Sequence, residues 1–559
     1  MALRAIRLLL LVVLVALGGV ASAGEPQHVR VSWDQADTAH TAAVTWNTVS
    51  VQDPSIIEYG LTAAYGLQAT GTAFQGNGAL GAIHSVTIDE LEPDTVYHYR
   101  VGGPGSWSID YTFRTGVTDG CSPFRFVALG DNRGDTSFAP SSLWNPILTE
   151  ALAHGPSFIL NTGDLVKDGD EDEQWKAFLE TTGDGVASVP LMPSLGNHDD
   201  DKVAGDGASY NQLFTLPRNP QTNSEDYYYF IYGDALFAAI STATFKDGTD
   251  IEQQAAWLDQ VLTDNPTTWK FVYFHHPIYT GSVDLFGLVD IGHPPNELNQ
   301  NQHLVPVFDK HHVDIVFNGH NHFYQRFEPM CCGGGGDDGV PTGDAATGTV
   351  YIITGGAGAI TYDVPGIDLL LGTADGSVAV SGKHHYVLME VDGNSATGRV
   401  YTTAPQLTGS DPDNIELIDE FTIFKEGPPP DCDEPTSPPP ESGADAGGTE
   451  ADAGSPTDPP DAGSSPANPQ EEVIETGPEI SPPATGLDTV DPGPSPEPPG
   501  SPPPGLPGET PGQGSVESGG GSSSDGGCAT GGGTPLWAGP LMVAIVALVI
   551  ARRRTIRLS

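Results

Sequence analysis

The sequence predicts an all-β sandwich followed by a larger α/β domain and then a long segment too polar to fold. Three observations carry this reading. Short alternating segments separated by turn residues fill residues 27–115. Beyond Phe124 the strands become near-continuous apolar runs, several stopping at a glycine beside an aspartate, asparagine or histidine. From Gly427 to Gly527, proline, glycine, serine, aspartate and glutamate displace most large apolar residues. At 559 residues the chain exceeds what one core usually organises, so at least two domains are expected.

Both ends look specialised. Arg4 and Arg7 precede the apolar run Leu8–Leu17, which closes at Ala21-Ser22-Ala23. That order is that of a secretory signal, with cleavage after Ala23; an N-terminal anchor is the alternative, but the run is short for one. Leu536–Ala551 is apolar and is followed by Arg552, Arg553, Arg554 and Arg557. A span takes about twenty residues, and this one is slightly shorter. With Trp537 at its start and arginines at its end, it predicts a transmembrane C-terminal anchor whose tail stays cytoplasmic. Gly527-Cys528, the apolar segment and the arginine cluster together resemble the MYXO-CTERM type of bacterial sorting tag. The resemblance implies that residues 528–559 are processed, with Cys528 cleaved or lipidated, and that the protein stays at the bacterial cell surface or outer envelope. A plain tail anchor is the competing reading. Residues 427–527 would be an acidic, disordered stalk, stiffened by proline and lengthened by charge repulsion.

The formal net charge is −51, and acidic residues outnumber basic ones through the first 400 residues as well as in the stalk. No basic stretch precedes the C-terminal arginines, which argues against nucleic-acid binding through phosphate neutralisation. A phosphate-bearing substrate would have to be attracted locally, by metal. Cys121, Cys331, Cys332 and Cys432 lie in or beside the foldable region, where export permits disulfides; three pairings are open.

The first domain, residues 24–117, is read from Val29–Trp33, Ala43–Trp46, Ile57–Gly60, Ser85–Ile88, Tyr97–Val101 and Tyr111–Arg114. Roughly seven such strands suit an immunoglobulin-like or fibronectin type III-like sandwich. Its aromatics are expected to be core, and the domain to carry no chemistry.

The second domain, residues 118–426, announces its chemistry at strand ends. Phe124–Leu129 runs into Gly130-Asp131, Ser157–Asn161 into Gly163-Asp164, and Val189–Leu195 into Gly196-Asn197-His198. Asp131, Asp164 and Asn197 are spaced about 33 residues apart, close to one strand-helix-strand unit. Parallel strands with right-handed crossovers put successive C-terminal ends along one sheet edge, so these three sites should converge. Trp269–Phe274 then ends in His275-His276, and Val313–Phe317 in Gly319-His320-Asn321-His322. Nitrogen and carboxylate donors without thiolate suit zinc, iron or manganese, and a bridging carboxylate makes two ions possible. Glycine beside each site lets the backbone approach an ion closely. The run Asp168–Glu173 lacks the glycine of a calcium loop and is read as a solvated acidic loop. Gly348–Gly358 reads as one more strand and glycine turn, without the lysine of a nucleotide-binding loop.

In this order, GD, GD, GNHD, HHP and GHNH resemble the calcineurin-like metallophosphoesterase superfamily. With the sandwich in front, and Leu91–Tyr97 leading into a late strand, the chain resembles the purple acid phosphatases over residues 27–405. The resemblance implies two β-sheets flanked by helices and two metal ions, divalent or of mixed valence, of iron, zinc or manganese. Asp131 and His322 would bind the first ion and Asp164 would bridge; Asn197, His275 and His320 would complete the second. The V-x-x-H pattern over Val272–His275 favours His275 over His276 as the ligand. His198 would be the catalytic histidine beside the phosphate, with Asn197 and His276 also facing substrate. Two departures stand out: Lys167 replaces the tyrosine that colours the purple enzymes, and Arg133 replaces a histidine frequent in the wider superfamily. Arg133 is expected to bind phosphate through its fork, or else to be a surface residue.

The function this implies is hydrolysis of phosphate monoesters outside the cytoplasm, by attack of a hydroxide bridging the ions. A phosphodiesterase or nucleotidase on the same site is the second reading. A catalytically silent surface scaffold or adhesion protein is the third.

Overall fold

In a computed structural model, the structure describes residues 24–134, 141–199, 208–242, 251–284, 290–331, 340–342, 344, 347–362, 366, 371–403 and 415–427. The expected signal, stalk and C-terminal anchor lie outside these residues. Among the described residues no helix is long and apolar enough to cross a membrane.

The N-terminal strands are β1 (Gln27–Ser32), β2 (Ala42–Thr48), β3 (Ile56–Gly60), β4 (Leu67–Thr70), β5 (Thr72–Gln75), β6 (Ala82–Ile88), β7 (Val96–Gly103), β8 (Ser106–Trp107) and β9 (Tyr111–Arg114). They form two antiparallel sheets, β1-β2-β6-β5 and β4-β3-β7-β8, with β9 also on β7. Inward side chains such as Val44, Trp46, Ile57, Val86, Tyr99 and Phe113 make one core between them. β4, β5 and β8 escape the sequence reading because β4 and β5 are short and largely exposed and β8 has only two residues, so no alternation marks them. The Leu91–Tyr97 turn is tied by its aromatic: the Glu92 backbone N–H donates to Tyr97 Oη at 2.9 Å, which fixes entry into β7.

β1 does more than complete the sandwich. Arg30 Nε donates to the Leu213 carbonyl at 2.7 Å and Ser32 Oγ to the Thr215 carbonyl at 2.6 Å. Trp33 packs against Phe158, Phe230 and Tyr232 of the second domain. The sandwich is thereby a wall of the larger core.

The second domain contains β10 (Phe124–Leu129), α1 (Trp144–Leu152), β11 (Phe158–Asn161), α2 (Asp172–Thr182), β12 (Leu191–Pro193), α3 (Ala208–Leu213), β13 (Tyr228–Tyr232), β14 (Ala235–Ala239), α4 (Ile251–Asp264) and β15 (Trp269–Phe274). A small pair, β16 (Val283–Asp284) and β17 (Asp290–Ile291), precedes α5 (Asn301–His311), β18 (Ile315–Asn318) and β19 (Tyr324–Phe327). A second small pair, β20 (Met330–Cys331) and β21 (Val340–Pro341), is followed by β22 (Val350–Thr354), β23 (Ser377–Ser381), β24 (His385–Asp392), β25 (Ser395–Thr402) and β26 (Glu416–Phe424).

Two sheets carry the site. The first runs β12-β11-β10-β24-β25-β26 and the second β13-β14-β15-β18-β22-β19-β23. β10, β11 and β12 are parallel, as are β14, β15, β18 and β22. Alternate residues explain the unbroken apolar runs. On β15, Phe271 and Tyr273 enter the core between the sheets, while Val272 and Phe274 enter the core shared with α4 and α5. Between the sheets Phe126 stacks on Phe158 at 5.3 Å and meets Phe237, Phe271 and Phe317 edge-on. Truncating such a ring costs about 3–5 kcal/mol, so this cluster fixes how the sheets face each other.

The acidic run Asp168–Glu173 is a loop only in its first part. Asp172 and Glu173 occupy the first turn of α2, where carboxylates are favoured by the helix dipole. Cys121 and Cys331 are both disulfide-bonded.

Candidate metal centre

Asp131 follows β10 and Asp164 follows β11, and both are almost fully buried with φ of 58°. His320, after β18, has φ of 68°. Three non-glycine residues in the left-handed region cost on the order of 1–3 kcal/mol each, so their surroundings must hold them. Asp131 donates its backbone N–H to the Gly163 carbonyl at 2.9 Å. His320 donates its backbone N–H to both oxygens of Asp131, at 3.1 and 3.0 Å. Two of the neighbouring glycines serve space, since a Cβ on Gly319 would strike Asp131 Oδ2 and one on Gly196 would strike Asp164 Oδ1, whereas Gly163 takes a positive φ of 98°.

Asp199, two residues past Asn197, accounts for the Asp164 loop. Its Oδ2 accepts the N–H groups of Asp164 at 2.7 Å and Gly196 at 2.9 Å; its Oδ1 accepts those of Leu165 at 2.7 Å and Val166 at 3.0 Å. One buried carboxylate thus pins the end of β11 to the end of β12.

The histidines are oriented from behind. Carbonyl oxygens only accept, so each ring nitrogen facing one carries the proton. Nδ1 of His275 donates to Thr162 O at 2.9 Å, Nδ1 of His322 to Ile360 O at 2.9 Å, and Nδ1 of His198 to Lys167 O at 2.7 Å. Their Nε2 atoms are left as lone pairs when neutral. His275 Nε2 lies 3.3 Å from Asp164 Oδ1, and His322 Nε2 lies 3.4 Å from Asp131 Oδ1. Asp131, Asp164 and His322 present donor atoms all within 4.8 Å of one another.

His320 points Nε2 at Glu297 Oε2, 3.1 Å away, and Nδ1 at His275 Nε2, 3.2 Å away. A neutral His320 giving its proton to Glu297 therefore sets two nitrogen lone pairs against each other, with a carboxylate oxygen adjoining. Such a cluster repels unless a cation lies among the donors, so the set fits a metal ion. Electrostatics agree. Burial pushes the Asp164 carboxyl up, but His275, His198 and Arg133 outweigh it and hold the group below the usual carboxylate range. Burial lowers His275 in spite of Asp164 and Asp131, which keeps it a neutral nitrogen donor. Burial would also lower His322, but Asp131 beside it raises it.

Several expected positions differ. His276 is buried: Nδ1 meets Thr242 Oγ1 at 2.9 Å, and the ring packs 4.3 Å from that of His320. Following β15, it clusters with Glu297 and His320 as a second candidate metal group. Asn197 is exposed at the rim beside half-buried His198. Arg133 is not a surface residue: its side chain is 12% exposed, and its Nε donates to Asp164 Oδ2 at 3.0 Å.

Family comparison meets this geometry directly. Residues 26–115 match the purple acid phosphatase N-terminal domain and residues 124–324 the calcineurin-like phosphoesterase domain. The chain is a purple acid phosphatase-like member of the calcineurin-like phosphoesterase superfamily. The match supports a phosphoric ester hydrolase, and the purple acid phosphatase-like family uses a dinuclear metal centre. Purple acid phosphatase 18 of Arabidopsis thaliana is 28% identical over 55% of this chain and 67% of its own length. Mouse acid phosphatase type 7 is 28% identical over 61% of this chain and 81% of its own. The chain spans about two thirds of the length of the Arabidopsis relatives it matches first. A purple acid phosphatase from yellow lupin seeds shares the fold, with a TM-score of 0.57 at 21% identity over 72% of this chain and 74% of that one.

In this purple acid phosphatase-like chain, sequence reasoning missed Glu297, His293 and the role of Asp199. The His293 ring packs tilted against that of His320 with centroids 3.8 Å apart, and burial together with His320 holds its pKa down to about 4. His293 and Glu297 sit four residues apart in the segment between β17 and α5, with no strand end to mark them. Lys167, which stands where the purple enzymes carry tyrosine, contributes its carbonyl to orienting His198.

Proposed function

We propose that the protein hydrolyses phosphate monoesters at a two-metal centre. Asp131, Asp164 and His322 would hold the first ion, and Asp164, Asn197, His275 and His320 the second, with Glu297 fixing the tautomer of His320. Iron, zinc or manganese suits this oxygen and nitrogen set. When bound, the ions supply Lewis acidity and lower the pKa of coordinated water. The observation that carries the reading is the meeting of Asp164 Oδ1, His275 Nε2 and His320 Nδ1, donors with no proton of their own to share.

The chain's own residues do the rest. Asp199 and the Thr162 carbonyl keep Asp164 and His275 in place, so the donors need no rearrangement. His198 is held through Nδ1 by Lys167 O, which leaves Nε2 for the substrate; as the imidazolium it would donate from Nε2 to the leaving oxygen. Asn197 on the exposed rim is available to the phosphate. The sandwich in front and the acid phosphatase names of the relatives favour monoesters over diesters.

The test is metal analysis of the purified protein with a monoester and a diester assayed side by side. Two metals with faster monoester hydrolysis are expected; faster diester hydrolysis would reverse the substrate choice. Two metals with neither activity would favour a silent scaffold. His198→Ala should cost about 10²–10⁴-fold with a poor leaving group and less with an activated one; equal losses on both would remove the acid role.

We also read the enzyme as exported and held at the cell surface by its C-terminal segment. The Arg4–Ala23 pattern supports this, as do disulfide-bonded Cys121 and Cys331, which suit an oxidising compartment. A mature N-terminus at Gly24 checks it, and a retained Met1 counts against it.

A further inference from the structure

Arg133 lies two residues beyond Asp131, and its side chain is only 12% exposed. Its backbone N–H donates to the Asp164 carbonyl at 3.1 Å and its Nε to Asp164 Oδ2 at 3.0 Å. Its Nη2 lies 3.4 Å from His322 Nε2. A guanidinium has only donors, and His322 has committed Nδ1–H to Ile360, so with the ring neutral this contact engages the Nε2 lone pair. Of the three residues gathered for the first ion, Arg133 therefore engages two, through the electron pairs a metal would take. It meets Asp164 at Oδ2, whereas His275 and the His198 backbone N–H meet Oδ1 on the side of the second ion.

We infer that Arg133 is an internal cation of the first metal position, competing with the ion there and exchanging with it. The inference rests on the two-metal reading above. Asp164 is almost fully buried, and a buried carboxylate without a cation is costly; Arg133 meets that need when the metal is absent. Arginine stays charged at every working pH, so the competitor leaves by displacement and not by titration. The first position accordingly loads more weakly than the second, and loading releases a guanidinium at the site to meet the substrate phosphate.

Calorimetric titration of the metal-free full chain with Zn²⁺ tests this. The wild type should show a tight and a weak class of site. In Arg133→Met the weak class should tighten by about tenfold or more, since one opposite charge at this range moves an ionisation by about 1–3 units. The thermal midpoint of metal-free Arg133→Met should fall, while that of the loaded protein stays. Arg133→Gln keeps a hydrogen-bond donor for Asp164 and serves if Arg133→Met does not fold without metal; the same tightening is expected. One zinc in the wild type and two in a variant would also support the inference. An unchanged or weaker second class in the variants, or two equally tight sites in the wild type, overturns it. If the wild type binds no zinc, the two-metal reading fails and this inference with it; two bound ions with indifferent variants remove the arginine proposal alone.

Discussion

The two sheets of the catalytic domain end in different chemistry. Beyond β10, β11 and β12 the first sheet delivers Asp131, Asp164, Asn197 and Asp199, while beyond β15 and β18 the second delivers His275, His276, His320 and His322. The first sheet supplies the carboxylates, with His198 among them, and the second most of the imidazoles. Neither holds a full set of ligands, so the site depends on the packing between them, where Phe126 locks against Phe271 and Phe317. The division also separates failure modes: losing a carboxylate removes the charge that draws cations, whereas disturbing an imidazole alters which nitrogen faces them.

The largest expected effect is on the carboxylate side. Asp164→Ala should lose both metal ions and reduce turnover by more than the roughly 10–100-fold typical of outer-shell changes, measured by metal content and ester hydrolysis. Retention of two ions would break the assignment of Asp164 as the shared ligand. A smaller effect is expected behind the imidazoles. Glu297→Gln removes the carboxylate that fixes the proton on His320 Nε2 and should weaken one class of metal site by about 10-fold, since Glu297 is 38% exposed and lies at the low end of that range. Unaltered affinity with halved metal content would instead make Glu297 a direct ligand, as its cluster with His276 and His320 allows.

The smallest effect concerns an imidazole on the carboxylate sheet. His385 begins β24, is fully buried, gives Nδ1–H to Lys383 O, and has its pKa held down to about 4 by burial. Unfolded, it titrates near 6.5, so the stability it confers by staying neutral is present above that pH and is lost as pH falls toward 4. The slope is at most about 1.4 kcal/mol per pH unit. Denaturant unfolding at several pH values should show this slope in the wild type and its loss in His385→Gln; equal slopes would trace acid sensitivity to the site instead.

Much of the site was legible because strand ends leave local marks. An apolar run stopping at glycine and then aspartate identifies both a buried strand and the residue presented beyond it, and this located Asp131, Asp164, His275, His320 and His322. The two-layer core was legible in β15 because a strand covered on both faces has no polar alternation. Exposed β4 and β5 and the two-residue β8 had no such pattern. Glu297 and His293 stand outside any strand end, and nothing in their spacing says that they return to His320.

By itself the sequence determined which residue types would meet and in what chain order, because burial and turn chemistry are local constraints. It also determined the sandwich, whose alternation is local too. Only the tertiary structure decided that the ligands come from two facing sheets, that Asp199 gathers four backbone N–H groups, that His276 turns inward, and that Arg133 settles on Asp164. Each of these depends on the distance between segments far apart in the chain, which is set by how the layers pack.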